Sequence, residues 1–123
     1  MRWAWIVAMA ALWGGPALAT SGYGCEAEGK PVSIEILIGH AIAPVVVQVR
    51  LNDGEKSWST ADEPAPIRIL QAWIDDRELR LDLVDGDTSR YEARLRVRLA
   101  DDMSAKGTLE RGGATYRLRC SEM

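Results

Sequence analysis

The chain has only two cysteines, Cys25 and Cys120, 95 residues apart in a sequence of 123. In an exported chain such a pair argues for one disulfide, which would clasp the first and last strands of a small domain. Two buried free thiols are the other reading. Cys120 ends a stretch with a plain pattern, Ala-Lys-Gly-Thr-Leu-Glu, Arg-Gly-Gly, Ala-Thr-Tyr-Arg-Leu-Arg-Cys. Gly112-Gly113 is a two-residue turn that tolerates positive φ at both positions. Beyond it Ala114, Tyr116, Leu118 and Cys120 fall on one face, and Thr115, Arg117 and Arg119 on the other. Strand alternation therefore leads into the cysteine, and Ala105–Cys120 reads as the closing hairpin.

The N-terminus indicates export. Met1-Arg2 precedes an apolar run from Trp3 to Trp13, followed by Gly14-Gly15-Pro16 and Ala17-Leu18-Ala19. A positive start, a short apolar core and an Ala-x-Ala ending make a secretory signal peptide, helical over its apolar part, with cleavage after Ala19. An uncleaved anchor is the alternative, although the run is shorter than the ~20 residues of a membrane helix. Residues 1–19 are thus read as a leader and 20–123 as one periplasmic or secreted domain with no transmembrane segment. The formal charge is −3, and it argues against nucleic acid as a partner.

From Thr20 onward no helical period lasts more than a turn or two, while alternation recurs between turn signals. Tyr23, Cys25 and Ala27 share a parity. Val32, Ile34, Ile36 and Ile38 give a second inward row; Val45, Val47, Val49 and Leu51 are expected to give a third, with Val46 outward. Asn52-Asp53-Gly54 turns the chain into a short strand around Lys56–Ser59. Thr60–Pro66 is a loop. Ile67–Ile74 is apolar on both phases, which implies a bulge or cover on both faces, and Trp73 reads as core. Leu79, Leu81 and Leu83 form the next inward row, and Tyr91, Ala93, Leu95, Val97 and Leu99 the longest one. The total is eight or nine strands in near-meander order, an all-β fold. A small antiparallel up-and-down barrel tied at its ends by the disulfide is preferred; a two-sheet β-sandwich is the alternative.

One register follows from charge. If Asp82 faces Arg94 and Glu78 faces Arg98, Leu81 meets Leu95 and Leu79 meets Val97. A slip of two residues would set Arg80 against Arg94 and Asp82 against Glu92, and like charges directly opposite are unfavourable.

Few residues suggest catalysis. The single histidine, His40, sits in an apolar connection, His40-Ala41-Ile42-Ala43-Pro44, which is either an exposed contact or a cover over one end of the barrel. No serine or cysteine nucleophile has an evident base. The aspartates at 75/76, 85/87 and 101/102 fall at turns, where Asp bonds to nearby backbone; Asp85-Gly86-Asp87 is too little for a calcium loop. The expectation is no enzyme, no metal and no cofactor. The arginines suggest binding instead. Arg90, Arg94, Arg96 and Arg98 share a strand's outward face, Arg80 lies on its partner, and Arg117 and Arg119 lie outward on the last strand. Such a stripe fits an anionic protein or envelope component, unless it is simply a solvated surface neutralised by Glu78, Asp82, Glu92 and Glu110. Trp58 reads either as an exposed anchor or as a rim residue.

Tyr23-x-Cys25 at the start, with Lys106-Gly107, Tyr116 and Cys120 at the end, resembles the small periplasmic inhibitors of C-type lysozyme. That resemblance implies an exported eight-stranded barrel with terminal strands joined by a disulfide, and Lys106 as a contact to the acidic lysozyme cleft. It spans about a quarter of residues 20–123. The family's serine-bearing loop has no counterpart, and Met103-Ser104-Ala105 stands where an aromatic residue precedes Lys-Gly. The candidate partner-binding residues are thus Arg94, Arg96, Arg98, Arg117, Arg119, Trp58 and Lys106. The leading expectation is a non-enzymatic binding or accessory barrel. The alternatives are a lysozyme inhibitor and a small-molecule carrier, the latter requiring an unfilled interior.

Overall fold

A computed structural model describes residues 19–40, 42–100 and 105–123, the side chains from Ser21 onward. The expected leader, apart from its last residue Ala19, and the aspartates at 101 and 102 lie outside these residues. The described part is all β. Nine strands, β1 (Ala19–Ala27), β2 (Val32–His40), β3 (Pro44–Asp53), β4 (Lys56–Ser59), β5 (Ile67–Ile74), β6 (Glu78–Asp85), β7 (Tyr91–Leu99), β8 (Ala105–Arg111) and β9 (Ala114–Glu122), form one antiparallel sheet. The order is β4-β3-β2-β1-β9-β8-β7-β6-β5, and the sheet curls into a nearly closed barrel in which β3 comes back near β5.

The barrel preferred from the sequence is therefore present, and the disulfide clasps its first and last strands as expected: β1 pairs with β9, and Cys25 sits directly opposite Cys120 and is bonded to it. This pair lies in the middle of the strand order rather than at the ends of the sheet. The ends of the sheet are β4 and β5. They are separated by the Thr60–Pro66 loop, whose Pro64 and Pro66 lack the N–H needed to extend a ladder.

The inward rows pack as a single cluster. Ile34, Ile36, Ile38, Val49, Leu51, Leu79, Leu81, Leu83, Leu95 and Leu109 are all buried, and Tyr23, Trp58, Ile69, Ile74 and Tyr116 close around them. The interior is thus occupied by side chains. The closing hairpin turns at Gly112 and Gly113, with φ of 61° and 81°, the left-handed pair that a two-residue turn needs.

Three strands depart from simple alternation. In β3 the register shifts opposite Leu37/Ile38, so Val46 turns inward while Val45 and Val47 face out, 55 % and 51 % exposed. The expected parity of this half-strand is reversed, because one extra residue moves every following side chain to the other face. In β5 a shift between Ile69 and Gln71 leaves Leu70 as the extra residue. The bulge read from the two-phase apolar pattern is present, whereas cover on both faces is not. Trp73, expected in the core, is 54 % exposed and faces outward opposite Arg80. In β7 a shift opposite Leu83/Val84 leaves Glu92 as the extra residue, so Tyr91, expected in the inward row, is 52 % exposed.

Candidate functional site: the outer face of β5–β9

The β6–β7 register is the one charge selects. Glu78 faces Arg98, Leu79 faces Val97, Leu81 faces Leu95 and Asp82 faces Arg94. Carried across the sheet, this register lines up outward side chains in rows at right angles to the strands. One row is Trp73, Arg80, Arg96, Thr108 and Arg117. A second is Glu78, Arg98, Lys106 and Arg119, and a third is Gln71, Asp82, Arg94, Glu110 and Thr115. Neighbours in a row lie about 4.8 Å apart along the hydrogen-bonding direction. The outward positions of β6–β9 therefore gather Arg80, Arg94, Arg96, Arg98, Lys106, Arg117 and Arg119 against Glu78, Asp82, Glu92 and Glu110. This is an excess of cations on a chain of formal charge −3. Residues 21–66 balance it with a surplus of acids, Glu26, Glu28, Glu35, Asp53 and Glu55 among them.

The face has a buried anchor that its sequence pattern does not reveal. Asp82 faces outward yet has no exposed side-chain surface. Arg96 donates to its Oδ1 at 2.9 Å, Arg94 Nε lies 3.6 Å from the same oxygen, and Gln71 donates to Oδ2. Burial pushes this carboxyl up. The hydrogen bonds from Arg96 and Gln71 and the charges of Arg96 and Arg94 more than offset that effect, so its pKa lies below the ordinary 3.8. The two arginines stay 40 % and 43 % exposed, so each holds the carboxylate while presenting guanidinium surface to solvent. Arg94 also lies over the Tyr91 ring, 4.6 Å from its centroid.

A depressed carboxyl pKa stabilises the fold above the unfolded value of about 3.9, and that contribution is lost as pH falls through the folded value. Asp82→Asn is expected to lose about 1–3 kcal/mol at neutral pH, from weakened charge-assisted bonds. Its stability should also fall less steeply than that of the parent protein below the ordinary 3.8 of aspartate. Urea unfolding across that pH range measures both. Parallel acid limbs would show that Asp82 carries none of this dependence.

The other candidates are placed as follows. Lys106, Arg117 and Arg119 are exposed, with Arg119 Nη2 at 3.7 Å from Glu28 Oε1. Arg98 is exposed beside Lys106. Arg80 donates to Glu78 at 2.7 Å. Arg90 precedes β7 and pairs with Glu92 and Asp85, outside the stripe expected to include it. Trp58 belongs to another part of the barrel. It packs against the core, with Arg111 stacked 4.8 Å over its ring and tied to Asp53 at 2.6 Å, a contact that joins the ends of β8 and β3. His40 ends β2 and shares a 2.8 Å hydrogen bond with the Ser21 hydroxyl, and Ile42 stands fully exposed beyond it. Asp75 and Asp85 bond to turn backbone, accepting from Arg77 and Glu78 and from Ser89 and Arg90 respectively.

Fold and face together define a disulfide-clasped β-barrel with a polarised outer surface. Comparison with protein-family models, curated proteins and solved structures gives no match. The likeness to the lysozyme inhibitors therefore rests on the terminal residues named above.

Proposed function

We propose that this protein is an exported, non-enzymatic binding module that receives an anionic partner on the outer face of β5–β9. The observation that carries this reading is the cross-strand register, which sets Arg98, Lys106 and Arg119 in one row and Arg80, Arg96 and Arg117 in the next. Asp82 neutralises part of this field from beneath while holding Arg96 by a hydrogen bond and Arg94 as a close ion pair; Glu78 and Glu110 lie among the cations on the same face. Rigidly held cations favour anion binding because little side-chain entropy remains to be lost. A disulfide between the terminal strands agrees with an oxidising compartment outside the cytoplasm.

Elution from a sulfated matrix tests the face. Arg96→Glu would set a carboxylate against Asp82, so the reversal belongs on exposed positions. Lys106→Glu with Arg117→Glu should elute at clearly lower salt than the parent. Lys30→Glu with Lys56→Glu, an equal charge change on the other half of the barrel, should elute close to the parent. Asp82→Asn should elute later, because it frees positive charge. Equal shifts in both double variants would reduce the reading to bulk charge.

The terminal resemblance supports a second reading, inhibition of a C-type lysozyme. Lys106, the residue it singles out, is exposed in the middle of the basic row. Added protein should then suppress lysozyme activity, and Lys106→Ala should suppress it less. Full lysozyme activity in the presence of the protein removes this reading and leaves the first.

A further inference from the structure

Trp73 lies at the β5 end of the basic face, in the same row as Arg80 and Arg96. A recess of about 250 Å³ there is lined by Gln71, Ala72, Trp73 and Arg80. We infer that it is a subsite for one acidic sugar unit of an anionic polysaccharide, whose further charged units lie along the β6–β9 arginines. The inference deepens the anion-binding reading and rests on it.

Three features favour a sugar over a bare polyanion or a membrane. First, the indole is half exposed yet held. Its Nε1 donates to Asp75 Oδ2 at 3.3 Å, and Asp75 is itself fixed by the Arg77 and Glu78 amides, both at 2.8 Å. An indole anchored by its edge to a turn is a rigid platform for the apolar face of a pyranose. It is less suited to insertion among lipid chains, where Trp uses its N–H at the headgroup level. Second, Gln71 gives its amide N–H to Asp82, and the acceptor it can still offer is its carbonyl oxygen, a partner for a sugar hydroxyl. Third, Arg80 sits 6.0 Å from the Trp73 ring centroid, with a half-exposed side chain. Its surface pair with Glu78 is worth little, so the guanidinium can turn to a ligand carboxylate, sulfate or phosphate. Stacking surface, hydroxyl acceptor and cation thus converge within two strands.

The test titrates the oxidised protein with heparin-derived oligosaccharides and with oligogalacturonate. Polyglutamate of similar charge and phosphatidylglycerol vesicles serve as non-sugar probes. Both acidic oligosaccharides should bind. Trp73→Ala should weaken them by about tenfold or more, the size of effect an aromatic stacking contact carries, while Trp73→Phe retains most of the affinity. Polyglutamate binding should be indifferent to Trp73. If Trp73→Ala leaves sugar binding unchanged while Lys106→Glu with Arg117→Glu abolishes it, the subsite is wrong and the basic face stands. Binding to vesicles or polyglutamate alone also overturns the subsite. Binding to none of the probes overturns both readings.

Discussion

Replacing Cys25 and Cys120 together with serine should lower stability by about 4–5 kcal/mol, the chain-entropy value for closing so long a loop. The bond spans 95 residues, so the denatured chain loses a large share of its freedom when it is present. Both cysteines are buried, at 1 % and 3 % exposure, and face one another across the β1–β9 pair. Folded strands already hold them together, and the bond therefore acts chiefly on the unfolded state. A net stability of about 5–15 kcal/mol is ordinary for a domain, so a loss of this size approaches unfolding for a small barrel. The urea midpoint of the double variant, against the oxidised parent, measures it. A drop below about 1 kcal/mol would mean that the β1–β9 ladder, not the covalent clasp, sets the stability.

Gly107→Ala should be the most damaging single-methyl change in the basic half of the barrel. Gly107 follows Lys106 on β8 and faces Val97 on one side and Leu118 on the other. A Cβ at this position would lie 2.1 Å from the Arg96 carbonyl oxygen and 2.7 Å from the Val97 Cα. Both obstacles are backbone, so no rotamer relieves them; β7 and β8 would have to separate. Overpacking of this kind costs about 1–3 kcal/mol or more. The same displacement would disturb the Arg98–Lys106–Arg119 row, so anion affinity should fall along with stability. Thr108→Ala, one residue on and exposed, should stay within about 0.5 kcal/mol of the parent. Equal effects of the two substitutions would show that the close approach at Gly107 is not required.

The sequence was most legible where two independent constraints agreed. Leucine parity and charge pairing gave the same β6–β7 register, and the Gly-Gly turn with its alternating flanks gave the closing hairpin. It was least legible where one residue can shift the phase. Val45, Val46 and Val47 offer either parity to β3, and only the bulge opposite Leu37/Ile38 decides which of them is buried. Leu70 plays the same part in β5. The exposure of Trp73 has the same origin: the extra residue Leu70 takes it off the inward phase of Ile67 and Ile69 and sets it on the outer face opposite Arg80. Charge pairing sets Asp82 opposite Arg94, but nothing in the alternation marks its burial. That burial requires Arg96 and Gln71, from different strands, to close over it. The basic rows were half visible, since alternation assigned the arginines to outward faces. Their alignment across β6–β9 depends on the register of every pair between them, which alternation alone does not set.

The most direct test of the basic face is the salt dependence of affinity for a single polyanion, compared between the parent and Lys106→Glu with Arg117→Glu. Each ion pair formed releases counterions, so log affinity falls linearly with log salt at a slope set by the number of contacts. A steep slope in the parent, made shallower in the variant together with a lower affinity, is the expected result. An affinity insensitive to salt, or a slope the variant leaves unchanged, would contradict recognition through these rows.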